Sequence, residues 1–272
     1  MTRTLVIEAG HAERQYWRDL WKFRELFYFL AWRDFLVRYK QTFVGVAWAV
    51  VRPFLMMLAL TAVGKIGKFP TGGAPVALFY LCGLLPWQFF STAMSESGNS
   101  LVNNTNLVSK IYFPRLVVPA SSVIVSFVDF LIATVFLAIL MFYHHFIPPR
   151  QIVFIPLFVL LVFAVSLGTG FWIAALTVEY RDFRFVVPFI GQFGMFVSGI
   201  WPLANHLHGV WNLLYTLNPL VGIIDGFRWC ILGGGNVLES RDLVISILMT
   251  AFMVFSGLWY FRKTERTFAD VI

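Results

Sequence analysis

The stretch RDFLVRYKQTFVGVAWAVVRP, residues 33–53, passes from charged, aromatic sequence into an apolar run that begins at Gly45. Arg33, Arg38 and Lys40 stand just before that run, and basic residues flanking a hydrophobic segment stay on the cytoplasmic side when the segment crosses a bilayer. The stretch therefore reads as the entry to a first membrane span and orients the rest of the chain.

Composition points the same way. Of 272 residues, 59% are hydrophobic and 13% charged, and a water-soluble domain of that size cannot hide so much apolar surface. The expected fold is an all-α integral membrane protein forming one domain over residues 1–272, with a cytoplasmic N-terminal segment at 1–44 and a six-helix bundle at 45–272. Apolar runs at 45–64, 76–95, 116–143, 152–178, 185–203 and 243–261 are each long enough to cross a hydrocarbon core of about 30 Å. With the N-terminus inside, sixteen of the 21 Lys and Arg residues fall on the cytoplasmic side, so both termini are expected there. The first forty residues are charged throughout, and no cleavable signal peptide is expected.

The net charge of +7 would suit nucleic acid only on a soluble basic patch, and here the basic residues cluster beside apolar runs, so no nucleic-acid partner is expected. Cys82 and Cys230 lie in apolar surroundings without metal-type spacing and read as packing thiols, a disulfide between them remaining open. His144, His145, His206 and His208 have no carboxylate or thiolate neighbours that would complete a metal site. No Gly-rich phosphate loop, nucleophile elbow or zinc-protease helix is present, so the chain is expected to carry no ATPase of its own.

Within 16–37, a helical wheel sets Arg18, Lys22, Glu25 and Arg33 opposite Trp17, Trp21, Phe27 and Phe35, the pattern of an amphipathic helix lying in the membrane interface. A soluble helix packed on a partner protein is the alternative. Between the fifth and sixth runs, apolar pieces at 211–216 and 220–232 are separated by Asn218-Pro219 and ended by three glycines. They read as a re-entrant helical hairpin dipping partway into the outer leaflet, which must pack on the bundle or over a pore because irregular backbone is not tolerated in lipid; a surface loop is the alternative.

Asp129 falls mid-way along the third run, where a carboxylate costs about 2.5–3.5 kcal/mol, so it should face protein or water, with Ser126 on the same face to help satisfy it. Helix-to-helix bonding and a substrate role both fit. Two inner loops stand out. Residues 99–115 hold a short helical pattern that halts at Pro114 and suits docking to a soluble partner, whereas 179–184 alternates charge sign beside two aromatics and reads equally as snorkelling charges at a helix end. The aromatics inside the spans mostly face lipid or other helices, a minority being able to line a channel on which sugar rings stack. Gly191, Gly194, Ser198 and Gly199 would permit close helix approach at a mobile interface.

Taken together, Trp32-Arg33-Asp34, Arg38-Tyr39-Lys40-Gln41-Thr42, Gly45, Trp48, Pro53, Lys110-Ile111-Tyr112-Phe113-Pro114-Arg115, Pro119, Tyr180-Arg181-Asp182 and Asn218-Pro219 resemble, in order, the membrane subunit of ABC-2-type polysaccharide exporters, the permeases of O-antigen, teichoic-acid and capsule export. The resemblance implies a homodimer in the bacterial inner membrane, bound to two copies of an ABC ATPase that carries the ATP and Mg, and moving a polyprenyl-diphosphate-linked polysaccharide. No cofactor is implied on this chain. Asn103, Asn104, Leu107, Lys110, Ile111, Tyr112, Phe113 and Arg115 would form one ATPase-coupling loop, and Glu179, Tyr180, Arg181 and Asp182 the other. Arg33, Arg38, Tyr39 and Lys40 would meet the substrate head group. Trp48, Phe54, Trp87, Phe193, Phe196, Trp201 and Asp129 are channel candidates, and Trp211, Tyr215, Asn218 and Pro219 would belong to a periplasmic gate. An ABC-2 exporter of a drug or haem shares the fold, and a membrane transferase acting on lipid-linked sugar would need Glu96, Asp129, Glu179 and Asp182 to converge.

Overall fold

Helices account for all the regular structure of a computed structural model of the chain, which describes residues 16, 18, 20–40, 45–110, 113–201, 209–233, 238–265 and 268, with no strand among them. Five helices are long and apolar enough to cross a membrane, Gly45–Ile66, Val76–Asn103, Val117–Tyr143, Arg150–Glu179 and Ser240–Thr264. In chain order the elements are α1 (Arg24–Lys40), α2 (Trp48–Ile66, entered through a 3-10 turn at Gly45–Ala47), α3 (Val76–Asn103), α4 (Thr105–Lys110) and α5 (Val117–Tyr143). A 3-10 turn at Arg150–Phe154 leads into α6 (Ile155–Glu179), followed by α7 (Phe183–Phe193), α8 (Val210–Thr216), α9 (Pro219–Ile231) and α10 (Ser240–Thr264).

The second apolar run forms the middle of the bundle. Every residue from Leu78 to Trp87 is buried, which a helix achieves only when it is covered all round, and α3 packs on α2, α5, α6, α7 and α9. It also continues eight residues past the predicted end at Ser95. Asn99 and Ser100 donate back to the carbonyls of Ser95 and Ser97, so polar residues that look like a loop start are satisfied by their own helix. Gly98 lies against Ile173 and Gly170 against Ser97, closing α3 onto α6.

The last helix pairs with α6 along its length. At their crossing Gly257 faces the backbone of Gly168, an approach that leaves no room for a Cβ on either. Phe89, Phe127, Phe130, Phe163 and Phe227 interlock at the bundle centre, with ring centroids such as Phe127–Phe163 at 5.1 Å in edge-to-face contact. A second cluster, including Leu30, Leu101, Phe113, Phe171, Phe261 and Phe268, fills the end of the bundle where both inner loops lie.

The fifth predicted run differs most. Its apolar helix is Phe183–Val197, of which Gly194–Val197 is 3-10, and at 15 residues it spans about 22 Å, short of a full crossing. The helix stops because Ser198 turns back onto Gly194 and Gly199 takes a positive φ of 85°. The predicted continuation to residue 203 runs outside the described residues after Trp201. Gly191 and Gly194 pack against Ser91 and Trp87 of α3, so these small residues serve packing within the chain.

The two short helices foreseen around Asn218-Pro219 are present as α8 and α9. Asn218 caps α9, its side-chain oxygen accepting from the Leu220 N–H, and Pro219 occupies the first helical position where no N–H is needed. The second helix packs into the bundle against α3, α6 and α10.

Candidate functional site

A cavity of about 450 Å³ with both charged and apolar walls lies among α1, α2, α3 and α5. Its charge centre is Arg38, near the end of α1, which meets Asp129 at 2.6 Å and Glu96 at 2.9 Å. Tyr39 donates its hydroxyl to the other Asp129 oxygen. Ser126, expected to help satisfy Asp129, does not, because its hydroxyl donates to the Ser122 carbonyl in its own helix. The mid-helix carboxylate is thus held by helix-to-helix bonds from α1, ninety residues away in sequence. Burial works against the Arg38 charge, but the Glu96 and Asp129 carboxylates outweigh it and hold the guanidinium above its ordinary range. Burial, then the bond to Asp129, pushes the Tyr39 phenol up as well.

Arg52, Gln88 and Thr92 complete the polar wall, with Trp48, Phe89 and Phe130 as its apolar part. Arg52, Gln88, Thr92 and Glu96 were not singled out in sequence as a group. Gln88, Thr92 and Glu96, four residues apart on α3, share one face, a signal hidden by the apolar residues between them, while Arg52 comes from α2. Arg52, exposed on α2, forms no ion pair among the described residues, whereas Arg38 is paired with both carboxylates.

The other two head-group candidates lie elsewhere. Arg33 bonds Asp34 and, at 2.7 Å, the side chain of Asn104, tying α1 to the start of the first inner loop, and Lys40 is exposed. Along α1, the rings of Tyr28, Trp32 and Phe35 stack in succession at helical spacing, Tyr39 meets Phe35 tilted, and Tyr28 and Trp32 are exposed. Trp17 is outside the described residues.

The two inner loops lie at one end of the bundle. In the first, Asn103 and Lys110 are exposed, Leu107 packs on the second cluster, Phe113 is buried, and Ile111 and Tyr112 are outside the described residues. Its end is fixed by Glu265, which accepts from the Arg115 backbone at 2.8 Å while the Arg115 side chain reaches the Glu265 carbonyl. Burial raises the Glu265 carboxyl, with Arg115 and Tyr16 opposing. In the second loop Glu179, Tyr180, Arg181 and Asp182 are all exposed, and Glu179 accepts from Tyr260 at 2.8 Å.

Channel candidates divide by burial. Trp87 is 4% exposed inside the bundle, against Phe90 and under Gly194. Trp48, Phe54, Phe193 and Phe196 are exposed, and Trp201, half-buried, stacks on Phe196 at 6.2 Å. Of the gate candidates, Trp211 is exposed, Tyr215 is buried, and Asn218 donates to the Val197 carbonyl and the Ser198 hydroxyl. Sequence reading missed Arg228, counted only as an outer charge. It is 3% exposed, stacks over Phe79 at 3.9 Å and donates to the carbonyls of Gly199 and Ile200. Asn218 and Arg228 thereby hold the broken end of the fifth apolar segment along α9. No His, Cys, Asp and Glu group suited to a metal occurs among the described residues.

An all-helical bundle with five helices long and apolar enough to cross a membrane, two exposed loops at one end and the short helices α8 and α9 after the broken fifth segment is the architecture of a multi-pass membrane protein. The sequence model of the ABC-2 type transporter family matches residues 25–232, and the chain belongs to that family. Membership makes it a permease subunit of the inner membrane and implies an ABC ATPase as partner. The chain is 25% identical over 263 residues, 94% of its length and 98% of the relative's, to the O-antigen export system permease protein RfbA of Myxococcus xanthus. A protein of the same name from Klebsiella pneumoniae is 25% identical over 244 residues, 88% of this chain and 92% of that one.

Proposed function

We propose that the protein is the membrane half of an ATP-driven exporter of lipid-linked polysaccharide, working as a homodimer with two ATPase copies. The observation that carries this reading is the similarity to O-antigen export permeases over nearly the full length of both chains. In it, Phe183–Val197 and the non-helical residues 198–201, held along α9 by Arg228, together make a sixth crossing, leaving both termini in the cytoplasm. The apolar faces left exposed on α2 and α7, such as Leu55, Leu58, Phe185 and Phe189, support a channel between two protomers lined by these helices. The exposed aromatic ladder of α1 suits the headgroup layer, as an interfacial helix requires.

The diphosphate of the substrate enters from the interface at the cavity beneath α1, where Arg52 supplies a positive charge not engaged in an ion pair among the described residues. The exposed inner loops dock the ATPase, and the hairpin of α8 and α9 gates the periplasmic exit. Reconstituted with its ATPase in proteoliposomes, the protein is expected to raise ATP hydrolysis and carry labelled glycan into the lumen when polyprenyl-diphosphate-linked glycan is supplied. Stimulation by a small hydrophobic drug, with none by the glycan, would overturn the reading.

A further inference from the structure

The last helix lies beyond the part of the chain that the family model matches, yet residues at its end bond to the start of the second inner loop and the end of the first. Tyr260 donates its hydroxyl to Glu179, the last residue of α6, where the second loop begins, at 2.8 Å. Five residues on, Glu265 accepts the Arg115 N–H at the end of the first loop and, with its other oxygen, the Tyr16 hydroxyl at 3.0 Å. The two ties are about 7.5 Å apart along one helix, and a helical turn and a half is stiff on that scale. Around them the helix is clamped. Tyr260 stacks face to face on Trp172 of α6 at 4.4 Å, and Phe261 is fully buried between Phe171 and Phe268. Trp172 in turn donates to Ser256 one turn earlier, at 3.0 Å.

None of these contacts is needed to cross a membrane. Glu179 is exposed and would be solvated without Tyr260, and a helix end needs no carboxylate at its C-terminus, where the dipole disfavours one. What the arrangement does is join two loops that are 64 positions apart in sequence through a third element. We propose that the end of α10 is a yoke, in which Tyr260 and Glu265 are positioning residues that hold the two inner loops at a fixed separation and make them move as one body. This rests on the reading of those loops as the ATPase docking points, and it adds how the stroke is shared. A partner engaging either loop displaces both, and carries Tyr16 ahead of the interfacial helix with them.

The test uses the full chain with Cys82→Ala and Cys230→Ala, spin-labelled at Asn106→Cys and Arg184→Cys, one label by each loop, in nanodiscs and diluted with unlabelled chain to suppress distances between protomers. Pulsed dipolar measurements are made on the permease alone and with its ATPase, with and without a non-hydrolysable ATP analogue. The yoke predicts one narrow loop-to-loop distance that nucleotide leaves unchanged. Tyr260→Phe removes a single hydroxyl and Glu265→Gln the shared acceptor charge. Each should raise the unyoked population about 2- to 10-fold, seen as a second, broader distance, and the pair more than either. In the complex the same variants should keep ATP hydrolysis while less glycan is exported per ATP. A distance as narrow in the double variant as in the parent, or one that shifts with nucleotide in the parent, overturns the yoke. Failure of the docking reading looks different, since the ATPase then does not co-purify while the permease-alone distances still respond to the two substitutions.

Discussion

Replacing Arg228 with methionine tests whether the hairpin is pinned to the broken fifth helix by this side chain. Arg228 is 3% exposed and gives its two terminal nitrogens to the carbonyls of Gly199 and Ile200. Each carbonyl left buried without a donor costs about 1–3 kcal/mol, so the pair contributes about 2–6 kcal/mol. Asp225, at 3.5 Å and with a side chain 34% exposed, loses its counter-ion but keeps partial access to water, which limits the further cost. Methionine fills much of the space over Phe79 and recovers part of the loss, leaving a net destabilisation of about 2–5 kcal/mol. For a chain of this size that lowers Tm by about 5–15 °C. The assay is the loss of monodisperse protein on heating in detergent at a fixed rate, with Arg228→Lys alongside. Lysine keeps the charge but not the planar fork that serves two carbonyls while lying over a ring, so it should fall between methionine and the parent. An Arg228→Met protein melting within about 2 °C of the parent would refute the reasoning, because the carbonyls would then have found other donors.

Two further outcomes follow from the packing. Arg38→Gln and Asp129→Asn should be non-additive in a double-mutant cycle read by thermal stability, with a coupling of about 1–2 kcal/mol, the pair being about three-quarters buried. Gly257→Ala and Gly168→Ala each push a methyl into facing backbone and should cost about 1–3 kcal/mol in the same melting assay, whereas Gly191→Ala meets only the Ser91 hydroxyl, which can turn aside.

The elements readable in sequence are those whose signal is local. The first, third, fourth and sixth apolar runs match helices at Gly45–Ile66, Val117–Tyr143, Arg150–Glu179 and Ser240–Thr264 to within a few residues, because length and hydropathy alone define a span. Asn218-Pro219 marked the start of α9 for an equally local reason, a capping side chain before a residue with no N–H. The early stop of the fifth helix was not legible, since it depends on Gly199 lying along α9 and on Arg228 holding the released carbonyls. The same limit applies to the site. Asp129 was conspicuous as a charge in an apolar run, but its partners lie about ninety positions back on another helix, and Glu265 matches no motif at all.

On α1 two arginines five residues apart serve different neighbours, Arg33 the Asn104 side chain at the first loop and Arg38 the carboxylates of the cavity. About 7.5 Å of helix therefore separates a loop contact from a cavity contact. A displacement of the first loop must either break the Arg33 bond or carry Arg38 with it. The cavity itself is balanced, two arginines against Glu96 and Asp129. Under the proposed function, a diphosphate arriving there is attracted by Arg52 and repelled by both carboxylates so long as Arg38 neutralises them only in part. Each of these charge pairs is worth on the order of 1–4 kcal/mol at about 4 Å in a partly wet site. Affinity for the head group is then set by where α1 stands, and α1 is tied to the loop on which an ATPase would act. The charged half of the 33–53 stretch is in this way both the wall of the cavity and the link to the loop.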